Sequence, residues 1–324
     1  MKTTEYTEIK ENAFNFEKMT MNKERILGTT KDYLAKQQTR PPFALVRKVI
    51  DIHAFLSQDS IVWLSHSTIL GHIDNMTFIV DPMLSLRASP FSWIGPKRFE
   101  GSLTPIEELP NIDIIFITHN HYDHLDYKTI MALHEHVKYI YIPKGNALLL
   151  CKWGVQPSKI KEFSWFEEHK IDELTVCFCP TQHFSGRGLF DRDKTLWGSW
   201  VIKGSKHSVY VSGDSGYNQH FKIIGDTHGP FDIACIECGA YSDHWKEVHM
   251  RPEESVQAAC DLGAKIMLPM HWAGFDLSTH AWDEPISQAV IKAKEMNMPL
   301  STYMIGEVNN LEKSIVNTEW WIFH

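Results

Sequence analysis

Residues 118–126 read Thr-His-Asn-His-Tyr-Asp-His-Leu-Asp, directly after an apolar, β-branched run, 112–118, whose one charge is Asp113. Such a run reads as a buried strand, so the histidines begin where the strand ends, on a turn. A strand end is a rigid mount, and a turn lets neighbouring side chains converge instead of alternating between faces. Neutral imidazole and carboxylate suit zinc and similar divalent ions. Four ligand-type groups this close together do not fit easily around one ion. Two ions can share them, with His119 and His121 on one and Asp123 and His124 on the other. The alternative is a polar loop that is merely rich in histidine, and H-x-H-x-D-H spacing at a strand end argues against it.

Three more groups close strand-like runs. His183 follows Val-Cys-Phe-Cys-Pro-Thr-Gln, Asp214 follows Val-Tyr-Val-Ser-Gly, and His271 follows Ile-Met-Leu-Pro-Met. Each alone is weak, because a histidine at a strand end is as often a satisfied polar group as a ligand. Together they supply what the first cluster lacks. His183 adds a third histidine to one ion, His271 joins Asp123 and His124 on the other, and Asp214 bridges the two through its two oxygens. Each ion then keeps room for water, as a catalytic centre does and a structural one does not.

The remaining sequence bounds the setting. The 324 residues allow a large core, and 43% hydrophobic with 22% charged residues is ordinary for a globular chain. A formal net charge of −8 makes a nucleic-acid backbone a poor partner. Residues 1–57 read as a polar N-terminal extension packed on the core, with a helical stretch at 23–36 and an amphipathic segment at 43–56; 58–324 form the main domain. The first residues lack the apolar centre of a signal peptide, and no run is long enough to span a bilayer, so a cytoplasmic protein is expected. Oligomeric state is left open. Of six cysteines, Cys177 and Cys179 share a strand, and Cys235 and Cys238 form a C-x-x-C without the second pair a zinc ribbon needs. These four read as buried, reduced thiols.

Strands are expected at 61–65 and 76–80, with Gly71 and Asp74-Asn75 in the turns between, then at 137–142, 173–179, 231–236 and 265–270. Residues 197–202 and 208–211 form a hairpin pattern. Helices are expected at 127–135, with Asp126 as its cap, and at 145–153, 252–262 and 284–295. Strand runs with flanking helices in both halves point to two packed sheets with helices outside. Because ligating histidines usually donate their second N–H to a carboxylate or carbonyl, Asp81 is a candidate supporting group, and Asp126 is one against its capping role. His66 and His249 are placed to reach a substrate or to serve structure; His72, His207, His228 and His280 read as surface or structural.

The ligand set resembles that of the metallo-β-lactamase superfamily. That resemblance implies an α/β (α+β) fold, an αββα sandwich of two mixed sheets, with a dinuclear site at the sheet edges. Longer stretches are similar to the N-acylphosphatidylethanolamine-hydrolysing phospholipase D family and its bacterial relatives: V-D-P-M-L-S-L-R-A-S-P-F-S-W-I-G-P-K-R-F, T-H-N-H-Y-D-H-L-D-Y, L-W-G-S-W, S-G-D-S-G-Y, P-E-E-S-V and H-W-A-G-F. By this similarity the metal ligands are His119, His121, Asp123, His124, His183, Asp214 and His271. The cofactors are two divalent ions, zinc first, with manganese and iron also suited. The implied reaction is phosphodiester hydrolysis of phospholipase D type by a metal-bridging hydroxide, with Asp123 as its hydrogen-bond acceptor. The substrate is then a phospholipid or small molecule. The loop 87–99 mixes basic and aromatic residues, which suit peripheral membrane contact, but it reads first as a packed loop with solvated charges. A sugar-phosphate lactonase or cyclic-nucleotide phosphodiesterase of the same fold is the alternative. The resemblance does not extend over the first 50 or so residues, and it fades in 184–193 and after Pro285.

Overall fold

A computed structural model of the protein describes residues 16–35, 38–312 and 317–322. The first fifteen residues of the expected extension, and Lys36 at the end of its expected helix, lie outside the described residues.

The first sheet takes strands β1 (Ser60–Trp63), β2 (Ile69–Ile73), β3 (Met76–Val80), β4 (Ile114–Phe116), β5 (Tyr139–Pro143), β6 (Ile160–Phe163) and β13 (Val308–Asn310), in the order β13-β1-β2-β3-β4-β5-β6. The second takes β7 (Glu167–Ile171), β8 (Leu174–Cys179), β9 (Ser199–Lys203), β10 (Ser208–Val211), β11 (Ile233–Glu237) and β12 (Met267–Met270), in the order β12-β11-β10-β9-β8-β7. Both are mixed. Pairing is parallel along β3-β4-β5-β6 and along β10-β11-β12, and antiparallel elsewhere. The parallel steps need crossovers: α3 (Tyr127–Leu133), α4 (Ala147–Trp153), α5 (His220–His228) and α6 (Pro252–Asp261) provide four of the five, and the long connection 81–113 provides the β3-β4 step.

Strand β4 shows how the sequence makes layers. Ile114 and Phe116 enter the core between the sheets, while Ile115 and Ile117 join a separate outer cluster with Phe55, Ile130, Leu133 and Leu150. Those four come from α2 (Ile52–Leu56), α3 and α4, so the outer face of this sheet is covered by helices. On the second sheet α6 packs on β11 and between α5 and α7 (Glu284–Met296). The expected sandwich with outer helices is what forms.

Trp200 pins the sheets together. Fully buried, it meets Phe116 at 4.9 Å, Phe163 at 5.0 Å and Phe178 at 4.8 Å between ring centroids. Its Nε1 donates to the Ile117 carbonyl at 2.9 Å, immediately before the histidine turn. Truncating such a side chain to alanine costs about 3–5 kcal/mol. Its motif neighbours are also used: Trp197 Nε1 donates to the Thr181 carbonyl at 2.9 Å, beside His183.

Some expected elements are corrected. Gly71 is not in a turn; it lies mid-strand in β2, opposite Phe78. A Cβ there would stand 2.2 Å from the Phe78 ring, so glycine is required by packing. Strand β7 (Glu-Glu-His-Lys-Ile) has no apolar alternation, because it is a half-exposed edge strand, paired among the described residues with β8 alone. In loop 87–99, Arg98 and Phe99 are buried. Arg98 donates to the Ser85 and Met83 carbonyls and to Ser65 Oγ, and its guanidinium covers the Phe275 ring at 4.5 Å. Phe91, Trp93 and Ile94 are exposed.

Helix α1 (Lys23–Ala35) buries no residue and is tied down by polar contacts: Arg25 pairs with Glu247, and Asp32 with His244 at 2.9 Å. Among the described residues no helix is long and apolar enough to cross a membrane.

Candidate metal centre

The site is assembled at one end of the two sheets, from residues that follow the C-terminal ends of strands: His66 after β1, Asp81 after β3, His119–His124 after β4, His183 after β8, Asp214 after β10, and His271 after β12. Ligands gather at that end of parallel strands because the loops there are free to diverge into a crevice. The turns are tight. His66, Asp81 and His271 hold φ values of 51°, 44° and 66°, in the left-handed region that side chains avoid. Gly213, before Asp214, has φ 59°, and a Cβ on it would stand 2.8 Å from the Gly198 carbonyl oxygen.

Two groups of four side chains form. In the first, His119 Nε2 lies 2.9 Å from His121 Nδ1, and His183 Nε2 lies 3.2 Å from the same atom. Asp214 Oδ2 is 3.7 Å from both His119 Nε2 and His183 Nε2. A tetrahedral zinc with ligands at about 2.0–2.1 Å separates its ligand atoms by roughly 3.3 Å, so these spacings fit one ion. The second group is His66, Asp123, His124 and His271. Asp123 Oδ2 is 3.1 Å from His66 Nε2 and 3.6 Å from both His124 Nε2 and His271 Nε2. Asp214 joins the groups: Oδ2 is 3.2 Å from His124 Nε2, and Oδ1 is 3.1 Å from His271 Nε2. All seven candidates named from the sequence therefore meet, with Asp214 lying between the two sets.

The fit to metal is seen in the polar atoms. His124 Nε2, His271 Nε2 and Asp214 Oδ1 are buried and converge, yet none makes a hydrogen bond of good geometry. Uncompensated buried polar atoms cost about 1–3 kcal/mol each, and a cation would satisfy all three. Electrostatics agrees. Burial holds His119 and His183 well below the usual imidazole range and His121 down to about 4, which leaves their lone pairs free. In the second group the carboxylates demand positive charge. Although burial opposes it, Asp214, Asp123 and Asp81 hold His124 well above its usual range, and Asp214 and Asp123 hold His271 up to about 10.

Supporting groups fix which nitrogen faces inward. His124 Nδ1 is 2.7 Å from Asp81 Oδ2, and Asp81 also accepts from Thr118 N at 2.8 Å. His183 Nδ1 donates to the Val248 carbonyl at 2.9 Å, leaving Nε2 for the centre. His249 Nδ1 lies 2.8 Å from Glu237 Oε2, with its ring 5.2 Å from that of His183 and 5.3 Å from that of His271. Glu237 was not anticipated. It is fully buried at the end of β11, accepts from Ser215 N at 2.9 Å, and stands 3.9 Å from His271 Nδ1. One signal was available: it is the only charged residue in Ile-Ala-Cys-Ile-Glu, at a strand end like the others. Asp126 does not support the ligands. Its carboxylate accepts from Thr129 N at 3.2 Å and Ser85 Oγ at 2.6 Å, as a helix cap.

Beside the metal loop lies a cavity of about 860 Å³. Asn120 and Tyr122, which alternate with the ligating residues, face it, with Leu86, Phe91, Tyr127, Trp153 and Arg187. Arg187 donates to the Asn120 and Leu125 carbonyls, both at 2.8 Å, and lies 3.9 Å from the Tyr122 ring centroid.

A model of the Beta-lactamase superfamily domain matches residues 76–272, the span that holds all seven ligand candidates named from the sequence. The chain belongs to the metallo-β-lactamase superfamily. An uncharacterised protein of Mycobacterium tuberculosis is 37% identical over 270 residues, which are 82% of this chain and 72% of that protein. N-acyl-phosphatidylethanolamine-hydrolyzing phospholipase D 1 of Caenorhabditis elegans is 34% identical over 230 residues, 67% of this chain and 64% of that protein. Among solved structures, a metallo hydrolase from the archaeon Ignicoccus hospitalis aligns with TM-score 0.57 at 18% identity, over 77% of this chain and 97% of that one, and shares the fold. This member of the metallo-β-lactamase superfamily is thus a metal-dependent hydrolase by family, and the donor set of its site suits that chemistry.

Proposed function

We propose that the protein is a dinuclear phosphodiesterase of phospholipase D type, hydrolysing N-acylphosphatidylethanolamine-like lipids to phosphatidic acid and an N-acylethanolamine. The observation that carries the dinuclear part is the position of Asp214, whose oxygens serve both four-residue groups. His119, His121 and His183 would hold one ion, and Asp123, His124 and His271 the other, with Asp214 between them. Bound there, two divalent cations supply an activated water near neutral pH and positive charge for a phosphodiester in its transition state.

The chain's own residues supply position. Asp123 keeps 16% of its side chain exposed, against 0–2% for His124, Asp214 and His271, so it is the carboxylate that water can reach. It accepts a hydrogen bond from the attacking water and orients it. His66, 3.1 Å from Asp123, holds that carboxylate in place.

The lipid part rests on the resemblance to the named phospholipase and on the surface beside the site. Leu86, Phe91 and Trp93 on one loop are 60%, 54% and 73% exposed, and Leu189 and Phe190 on another are 91% and 84% exposed. Both loops border the cavity, with Arg87, Lys128 and Arg187 among its lining. Apolar tips beside cations suit contact with a phospholipid surface. The test is to offer metal-loaded protein an N-acylphosphatidylethanolamine, a phosphorylated lactone and a cyclic nucleotide. Release of N-acylethanolamine together with phosphatidic acid is expected. Turnover confined to the lactone or the cyclic nucleotide would overturn the lipid assignment.

A further inference from the structure

Cys177 and Cys179 stand two apart in β8, so their thiols project from the same face of the sheet. Phe178 between them points the other way, into the core against Trp200. The two sulfurs are 3.8 Å apart. His228, the last residue of α5, brings a ring nitrogen into the same space, and one ligand atom from each of the three lies within 4.8 Å of the others. All three residues are buried. Glu168 of β7 pairs with Cys177 across the ladder, and its carboxylate lies 3.8 Å from His228 Nδ1. None of the four belongs to the centre described above.

We propose that Cys177, Cys179 and His228 form a separate structural site for a thiophilic divalent cation of the zinc class, with Glu168, beside His228, the carboxylate available to close the fourth position. Two sulfurs each about 2.3 Å from a tetrahedral zinc stand roughly 3.8 Å apart, the separation found between these thiols. Thiolate, imidazole and carboxylate together make a donor set that zinc accepts. Loading exchanges two S–H bonds for two sulfur–metal bonds and releases two protons, with no change of oxidation state. Glu168 is well exposed and gives the ion a route in. The site clamps the end of α5 to β7 and β8. The C-x-C spacing with a histidine from a distant helix is not a zinc-ribbon pattern, which is why the sequence alone leaves these thiols as core residues.

The active centre offers only nitrogen and oxygen, so sulfur reports on this cluster by itself. Full-length protein saturated with cobalt(II) should show thiolate-to-metal charge-transfer absorption. That band should vanish, and the metal content should fall by one ion per chain, in Cys177→Ser/Cys179→Ser. X-ray absorption at the zinc edge of the unmodified, zinc-saturated protein should show sulfur neighbours at about 2.3 Å. This second measurement decides the matter if the serine variant does not fold. Only nitrogen and oxygen neighbours in saturated wild-type protein, or a charge-transfer band that persists in a folded double-serine variant, would overturn the proposal.

Discussion

His124 Nδ1 and Asp81 Oδ2 meet at 2.7 Å, with both side chains wholly buried. The pair commits the other nitrogen of His124 to the centre, and Asp81 in turn is held by the Thr118 amide and hydroxyl. Asp81→Asn keeps the size and removes the charge that backs the imidazole. Metal affinity should fall about 10–100-fold with the circular dichroism spectrum unchanged. A metal titration giving wild-type affinity would contradict the coupling.

Asp123→Asn should leave the fold intact and lower kcat by roughly 100-fold or more, because the residue both donates to an ion and orients water. Steady-state kinetics of the metal-loaded variant check this. Near-wild-type turnover would remove Asp123 from the reaction.

Stability should depend on pH through His220. This histidine is fully buried, Nε2 is 3.1 Å from Ser215 Oγ, and burial pushes the ring down to about 3 from 6.5. Between those values the unfolded chain binds the proton and the folded one does not. The associated stability is therefore complete above about 6.5 and is lost as pH falls through the window toward about 3. Lowering pH from about 7 to about 5 should cost wild type about 2 kcal/mol more than His220→Phe. Urea unfolding of both proteins at the two pH values measures it. Equal losses would show that His220 is not the titrating group.

Trp93→Ala combined with Leu189→Ala and Phe190→Ala should abolish flotation of the protein with anionic phospholipid vesicles. Turnover of a small soluble phosphodiester should stay unchanged, since none of the three touches the candidate ligands. Flotation that does not depend on these side chains would remove the two loops as the lipid-facing surface.

How much of this was legible in the sequence depended on how conspicuous each group is in its local run. His119, His121, Asp123, His124, His183, Asp214 and His271 stand out because a polar, ligand-type side chain interrupts or closes an apolar strand. Asp81 was readable for the same reason. Glu237 ends a strand too, but it is tied to no ligand by spacing; its place behind His249 and His271 arises only when β11 lies beside β12. Gly71 resembles a turn residue because its packing against Phe78 is a cross-strand fact. Arg98 resembles a surface cation because the carbonyls that bury it come from residues 83 and 85, at the start of a loop with no periodicity. Asp126 offered two roles, and α3 took it as a cap.

The most direct test is turnover of a phosphodiester by metal-stripped protein as zinc or manganese is added back. No activity is expected without metal, followed by a rise to a plateau that requires both the His119–His121–His183 and the Asp123–His124–His271 sets to be filled, so that Asp214→Ala cannot be restored. Undiminished turnover in protein shown by elemental analysis to be free of metal would contradict it.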